Sequence, residues 1–302
     1  MDVRQLEYLV AVAEEGSFTR AAARVYAAQS TVSAGIRALE GELGAELFER
    51  DTRRVATTAA GQAALPIARR LLEDLAELRT AVADDGALHG TVQVGILTNV
   101  LVGDLLPDIL GRFRADHPAV ELLLAPSPTG SSGLVNALVD GRVDVAFLGM
   151  APGPLVGLRS ATLARSRLVV VLPSGHRLAG DPVDRPVAVA ELADDEFVDS
   201  PVGFGNRAVV DRALGALGQG RRVTTEVADI AQLSLFVAAG LGVAVVPQHL
   251  VRTSPGVVVR PIDSDAEWEL RVATRRHPSS AAAALFAAIV DGVRADGGGL
   301  SE

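Results

Sequence analysis

The first sixty residues constrain this chain most. Leu6, Leu9, Val10 and Ala13 recur at helical spacing, which predicts a helix from about Asp2 to Glu15. Gly16 stops it, and Ser17 is placed to cap a second, Ala-rich helix over about residues 18–25. Ser30 is expected to cap a third helix, whose Val32, Ile36, Leu39 and Leu43 form one buried stripe. Thr31, Ser33, Ala34 and Arg37 lie off that stripe, and the small Ala34 and Gly35 leave room for close approach to a groove. Two short helices joined by a tight turn lay the second of them in a DNA major groove. The same three helices also serve as a plain packing unit with a solvated outer face.

The stretches RQLEYLVAVAEEGSFTRAA, STVSAGIRALEGELGAELFER and TTAAG carry a resemblance. They resemble the winged helix-turn-helix of LysR-type transcriptional regulators, and the likeness continues, more weakly, through the rest of the chain. It implies that the helix over residues 30–43 enters the major groove and that the hairpin over residues 50–55 is the wing, with Arg53 and Arg54 meeting phosphate. The implied DNA-binding set is Arg20, Ser30, Thr31, Ser33, Ala34, Arg37, Arg50, Arg53 and Arg54. Positions 34 and 35 are often long and polar in that family, so Ala34 and Gly35 make base readout sparser. The implied partners are double-stranded promoter DNA, a small-molecule effector and further copies of the chain, as a homotetramer.

Charge alone argues against DNA. The chain carries a net charge of −9, and all 28 basic residues are Arg. Residues 1–58 hold seven Arg and nine carboxylates, a net of −2. What favours DNA is placement: six of those arginines fall on the second helix, the third helix and the hairpin. The absence of Lys excludes Schiff-base chemistry and a P-loop lysine.

Thr58 is expected to cap a long helix, kinked or restarted at Pro66 and ending near Gly86. Ile67, Leu71, Leu75, Leu78 and Val82 make a seam at near-coiled-coil spacing, read as a self-pairing linker that joins two copies. Beyond it, strand and helix patterns alternate, which argues for a parallel sheet covered by helices. The expected fold class is an α/β effector domain of two Rossmann-like lobes, preceded by an all-α winged helix-turn-helix domain and a long linker helix. The expected domains are residues 1–58, the linker 59–88 and the effector domain 89–302. The resemblance places lobe I at about 91–161 with 267–302, and lobe II at about 162–266.

Ligands of open α/β sheets bind beyond the carboxyl ends of the strands. Three loops rich in small polar residues leave such ends, and each precedes a helix N-terminus able to hold an anion. They nominate Thr98, Asn99 and Val100; Ser127, Thr129 and Ser131; and Ser200, Phe204 and Gly205. The resemblance puts Thr98, Asn99, Ser131, Phe204 and Gly205 at cleft-lining positions. A small polar or anionic metabolite is the expected ligand. Gly203–Ala208 also matches a dinucleotide loop, with Glu226 at the ribose-binding spacing, which makes a nucleotide-dependent oxidoreductase the alternative.

His89, His117, His176, His249 and His277 show no metal-ligand spacing, and there is no Cys. His249 is read as a surface residue or a helix start. No nucleophile elbow appears. No metal, cofactor or catalytic residue is expected, and the chain is read as a non-enzyme. No apolar run reaches the roughly 18 residues of a membrane span, and the opening residues lack an export pattern. A cytoplasmic protein with no membrane partner is the expectation.

Overall fold

The computed structural model describes residues 1–49, 55–81, 87–97, 105–182, 185–215, 220–251 and 254–295. The chain divides into two compact units, Met1–Gly90 with Val139–Gly141, and Thr91–Leu138 with Arg142–Glu302.

The first unit opens with α1 (Val3–Glu15), α2 (Phe18–Arg24) and α3 (Gln29–Leu43). The Asp2 carboxylate caps α1 by accepting from Gln5 N–H, and Gly16 closes it at φ 56°. Ser17 caps α2 through the Arg20 N–H at 3.4 Å. Tyr8, Leu9, Val12, Ala21, Ala22, Val32, Ile36 and Leu39 form the shared core. Leu43 is 48% exposed, because Gly44 ends α3 just where the stripe leaves the core.

Two expectations about α3 fail. The helix begins one residue before Ser30, and its N-cap is Ala28, which supplies no side-chain hydrogen bond. Gly35 does not face outward either: a Cβ there would lie 2.7 Å from the Tyr8 ring, so its smallness serves the packing of α3 on α1.

The turn between α2 and α3 holds Tyr26, at φ 51° the one non-glycine with positive φ among the described residues. Its side chain is 98% exposed, so no packing offsets that conformation. Tyr26→Asn, which adopts this region more readily, should stabilise the unit by about 0.5–1 kcal/mol. The urea midpoint of the first unfolding transition is the measurement, and a lower midpoint would disprove it.

The strands β1 (Phe48–Glu49) and β2 (Ala56–Thr57) pair antiparallel, so the unit is a helical head with a small hairpin and not purely helical. Phe48 stacks edge-on with Phe18 at 5.9 Å between ring centroids. The Thr58 hydroxyl accepts from Gly61 N–H at 3.0 Å and starts α4 (Ala59–Ala81). Pro66 lies inside α4, which continues through it. Ile67, Leu71 and Leu78 on its seam are 52%, 42% and 60% exposed; Val82 lies outside the described residues.

The second unit comprises β3 (Gly90–Ile96), α5 (Leu105–Asp116), β4 (Val120–Pro126), α6 (Gly130–Val139), β5 (Val145–Met150) and β6 (Leu158–Pro173). After them come β7 (Val187–Ala188), β8 (Glu196–Asp199), α7 (Gly205–Gly215), β9 (Arg222–Glu226), α8 (Leu233–Ala238) and β10 (Ala244–Pro247). The chain returns through β11 (Val257–Asp263), β12 (Glu267–Arg275) and α9 (Ser280–Ala295). The main sheet has the order β4-β3-β5-β12-β6-β11-β7, with β10 also on β6.

The sheet is mixed, not parallel. β3 and β5 run parallel, but β12 enters between β5 and β6 antiparallel to both, and β10 and β11 run antiparallel to β6. Alternating strand and helix patterns cannot reveal a return strand that inserts late into the middle of the sheet. One lobe is formed by β3–β5 with β12 and α9; Gly292 lets α9 close onto Ile109 of α5. The other holds the parallel pair β8–β9 with β10, α7 and α8. β6 pairs with β12 along its first half and with β10 and β11 along its second, so one strand serves both lobes.

Candidate functional site

In the helical head, Ser30, Thr31, Ala34 and Arg37 are exposed and Ser33 is half-buried. They stand at the N-terminal half of α3. The Arg37 Nη2 donates to Ser33 Oγ one turn earlier, at 3.1 Å. Arg20 is turned toward Glu15, at 3.4 Å, and Arg24 pairs with Glu14 at 2.7 Å. The carboxylates of α1 therefore engage the arginines of α2. Arg50, Arg53 and Arg54 lie outside the described residues.

In the second unit, a pocket of about 40 Å³ is lined by Leu97, Ser131, Gly149, Ser200, Phe204, Gly205, Asn206, Ala228, Ile230, Leu250 and Trp268. It draws on both lobes: Ser131 opens α6, Gly149 is on β5, Ser200 follows β8, Gly205 and Asn206 begin α7, and Trp268 is on β12. Of the nine residues nominated from sequence, Ser131, Ser200, Phe204 and Gly205 meet here. Thr98, Asn99 and Val100 lie outside the described residues. Ser127 does not line the pocket. Its buried hydroxyl donates to Gly130 O at 2.9 Å and accepts from Thr129 N–H at 3.3 Å, which makes it a turn former. Thr129 is exposed beside that turn.

The two lobes touch along this pocket. Ser132 N–H donates to Gly203 O at 3.1 Å. A Cβ on Gly130 would lie 2.7 Å from the Phe204 Cα, and one on Gly205 would lie 1.4 Å from Gly149 O. The Ser131 hydroxyl donates to Gly149 O (2.8 Å) and accepts from Gly149 N–H (3.0 Å), pinning α6 to β5. Two loops proposed as anion cradles are thus packed on each other, and the Ser132 amide at the α6 N-terminus is taken by the opposing loop.

Behind the pocket, Asp199 Oδ1 accepts from Ser200 N–H at 2.6 Å and from Asn206 Nδ2 at 3.1 Å. The same carboxylate is ion-paired with Arg221, whose guanidinium also meets Asp211 at 2.8 Å. Burial pushes the Asp199 carboxyl up from its ordinary value, against the opposing pull of Arg221. A carboxylate only accepts, so Asn206 must turn its NH₂ to Asp199 and its Oδ1 away. That Oδ1 and Ser200 Oγ are buried without hydrogen-bond partners among the described residues. Ser200 is 0% and Asn206 4% exposed.

His249 was read from sequence as a surface residue or helix start. It lies in a short 3₁₀ turn, half-buried, with its ring 5.0 Å from the Trp268 ring. Burial pushes its imidazole down to about 4, so it is uncharged at neutral pH. Trp268 itself was missed, although it is the sole Trp of the chain. Its place on the late-returning β12 is what brings it to the pocket.

The dinucleotide reading of Gly203–Ala208 fails on the same geometry. The backbone around Gly205 is filled by Gly149 O and that around Gly203 by Thr129 O, leaving no approach for a pyrophosphate. Glu226, the supposed ribose ligand, pairs instead with Arg207 at 3.4 Å.

Residues 3–62 match the model of the bacterial regulatory helix-turn-helix protein, lysR family, and residues 85–294 match the LysR substrate binding domain. The chain is 37% identical over 248 residues to the HTH-type transcriptional regulator ShiR of Corynebacterium glutamicum, covering 81% of this chain and 82% of ShiR. It is 32% identical over 251 residues to the regulator BenM of Acinetobacter baylyi, covering 82% and 80%. Among solved structures, a full-length OxyR variant from Pseudomonas aeruginosa superposes with a TM-score of 0.70 at 25% identity, covering 97% of this chain and 95% of OxyR. Full-length CbnR in complex with its target DNA gives 0.57 at 25% identity, covering 98% and 99%. With a matching reading head, a matching ligand-binding unit and relatives spanning most of its length, the chain belongs to the LysR family of transcriptional regulators.

Proposed function

We propose that residues 1–58 read promoter DNA, that residues 59–88 pair two copies, and that residues 89–302 bind a small effector controlling the first two. Lobe I of the effector domain is read as about 91–161 with 267–302, and lobe II as about 162–266. The exposed face of α3 supplies the base contacts, from Ser30, Thr31, Ser33, Ala34 and Arg37. Arg20 and the hairpin arginines Arg50, Arg53 and Arg54 supply phosphate contacts. The similarity to DNA-bound CbnR supports this placement. The effector is held among Ser131, Ser200, Phe204 and Gly205, with Thr98, Asn99, Val100, Ser127 and Thr129 in the surrounding loops. The protein acts by binding and not by catalysis, in the cytoplasm, as a homotetramer built from dimers. The apolar seam left exposed on α4 supports the pairing.

The observation that carries the proposal is a pairing of features in one chain. One unit displays an exposed recognition helix, and the other encloses a pocket whose lining residues Ser200 and Asn206 each carry a buried polar atom without a partner among the described residues. Effector binding shifts the balance between lobe arrangements, and thereby how paired heads sit on DNA.

Capture of genomic fragments by the full chain tests this, at roughly 150 mM salt to suppress non-specific phosphate binding. A few fragments sharing an interrupted palindrome are the expected result. Arg37→Ala should weaken binding to those fragments by about tenfold, the scale of one base contact. Wild-type affinity in that variant would remove α3 from the groove.

A further inference from the structure

The pocket of the second unit offers an unusual set of polar atoms. Ser131 Oγ already has one donor and one acceptor partner on Gly149. Ser200 Oγ and Asn206 Oδ1, both within buried side chains, have none among the described residues. Asn206 Oδ1 is an acceptor, fixed in that role by the Nδ2 contact with Asp199. A buried acceptor without a donor is unfavourable, so a ligand that reaches it from the pocket gains by bringing an O–H or N–H to it. The remaining described lining is Leu97, Phe204, Ala228, Ile230, Leu250 and Trp268 with two glycines, and among the described residues none of the lining carries a charge.

We infer that the pocket takes an uncharged molecule bearing at least two hydroxyls on a compact apolar frame, a vicinal diol being its minimal form. This rests on the reading of the pocket as the effector site, and it replaces the broader expectation of a polar or anionic metabolite.

A carboxylate accepts from Ser200 but faces Asn206 Oδ1 with lone pair against lone pair. Behind the site the guanidiniums of Arg221 and Arg207 are already engaged, Arg221 by Asp199 and Asp211 and Arg207 by Asp211 and Glu226, so neither is free to hold an anion in the pocket. An ammonium satisfies Asn206 but is buried with no carboxylate in the lining among the described residues. A pair of hydroxyls does both jobs, one donating to Asn206 Oδ1 and the other accepting from Ser200 Oγ. The volume of about 40 Å³ holds only a few heavy atoms. A six-membered ring therefore parts the 130–133 loop from the 203–205 loop as it enters, which couples occupancy to the lobe contact.

Trp268 lines the pocket and is the only Trp, so its fluorescence reports binding directly. The test titrates the full chain with catechol and trans-cyclohexane-1,2-diol, against benzoate and cyclohexanecarboxylate. The diols should change Trp268 emission, with the carboxylates at least about tenfold weaker. Ser200→Ala should weaken the diols by about tenfold and leave the urea midpoint unchanged, because the folded protein makes no bond with that hydroxyl. Carboxylates binding more tightly than diols, and losing affinity in Ser200→Ala, would overturn the chemical class while keeping the pocket. No change in Trp268 emission with any of the four at millimolar concentration would overturn the inference outright, leaving the site to water. Fragment capture by the DNA-reading head does not depend on these outcomes, so the regulator reading stands or falls separately.

Discussion

Arg260→Met should destabilise the second unit by about 3 kcal/mol or more, seen as a lower urea midpoint in the transition that exposes Trp268. Arg260 on β11 is 0% exposed. Its Nη1 donates to Leu178 O at 2.9 Å and to Asp181 O at 3.0 Å, and its Nη2 donates to Arg185 O at 2.6 Å. One guanidinium thus gathers three backbone carbonyls, those of Leu178, Asp181 and Arg185. Methionine fills a similar volume but donates nothing, so the three carbonyls must find water or stay unpaired, each at about 1 kcal/mol. The segment around residues 178–185 should then become the first site of limited proteolysis. An unchanged midpoint with an unchanged cleavage pattern would show that the segment holds itself.

Gly205→Ala should abolish tight lobe contact and with it effector binding. The added Cβ would sit 1.4 Å from Gly149 O, a backbone atom held in place by the Ser131 hydroxyl. Neither side can yield as a flexible side chain would, so the strain of overpacking, about 1–3 kcal/mol or more, falls on the contact between the lobes. Ser132 N–H should lose Gly203 O, and Trp268, 4% exposed in the wild type, should gain water and shift its emission to the red. The helical head should keep its fold, because none of its core residues is altered. A variant with wild-type emission and wild-type ligand response would place the signalling contact elsewhere.

The helical head was nearly complete in the sequence. The spacing of Leu9, Val32, Ile36 and Leu39 and the caps at Ser17 and Thr58 act within a few residues of each other, so local pattern carries them. The N-cap of α3 was misread for the same reason: local rules prefer Ser30 over Ala28, and the tertiary start of the helix overrode that preference. Gly35 could be understood only from its neighbour Tyr8, which lies 27 positions away. In the second unit, the individual strands and helices were legible, but their directions were not. Pairing of β12 with both β5 and β6 is a long-range choice that periodicity does not encode.

The candidate site divides along the same line. Ser131, Ser200, Phe204 and Gly205 were found because polar, glycine-bearing loops at strand ends announce themselves. Asn206 stood inside a recognised motif but for a wrong reason, as part of a nucleotide loop. Trp268, Leu250 and Ile230 reach the pocket from distant elements, and nothing local marked them. The sole Trp of a chain with only 4% aromatic residues was the one available sign.

The shared strand β6 bears on how a signal can travel. Sixteen residues at about 3.3 Å each make a rod on the order of 50 Å, clamped by hydrogen bonds to different neighbours along its two halves. Such a rod resists bending in the plane of the sheet but yields to torsion. The one irregularity in its pairing with β12 falls between Leu270 and Arg271, two residues from Trp268, where the ladder is softest. Occupancy of the pocket would then be transmitted as a change of twist concentrated at that point, and the far ends of the rod would sweep through the largest arc.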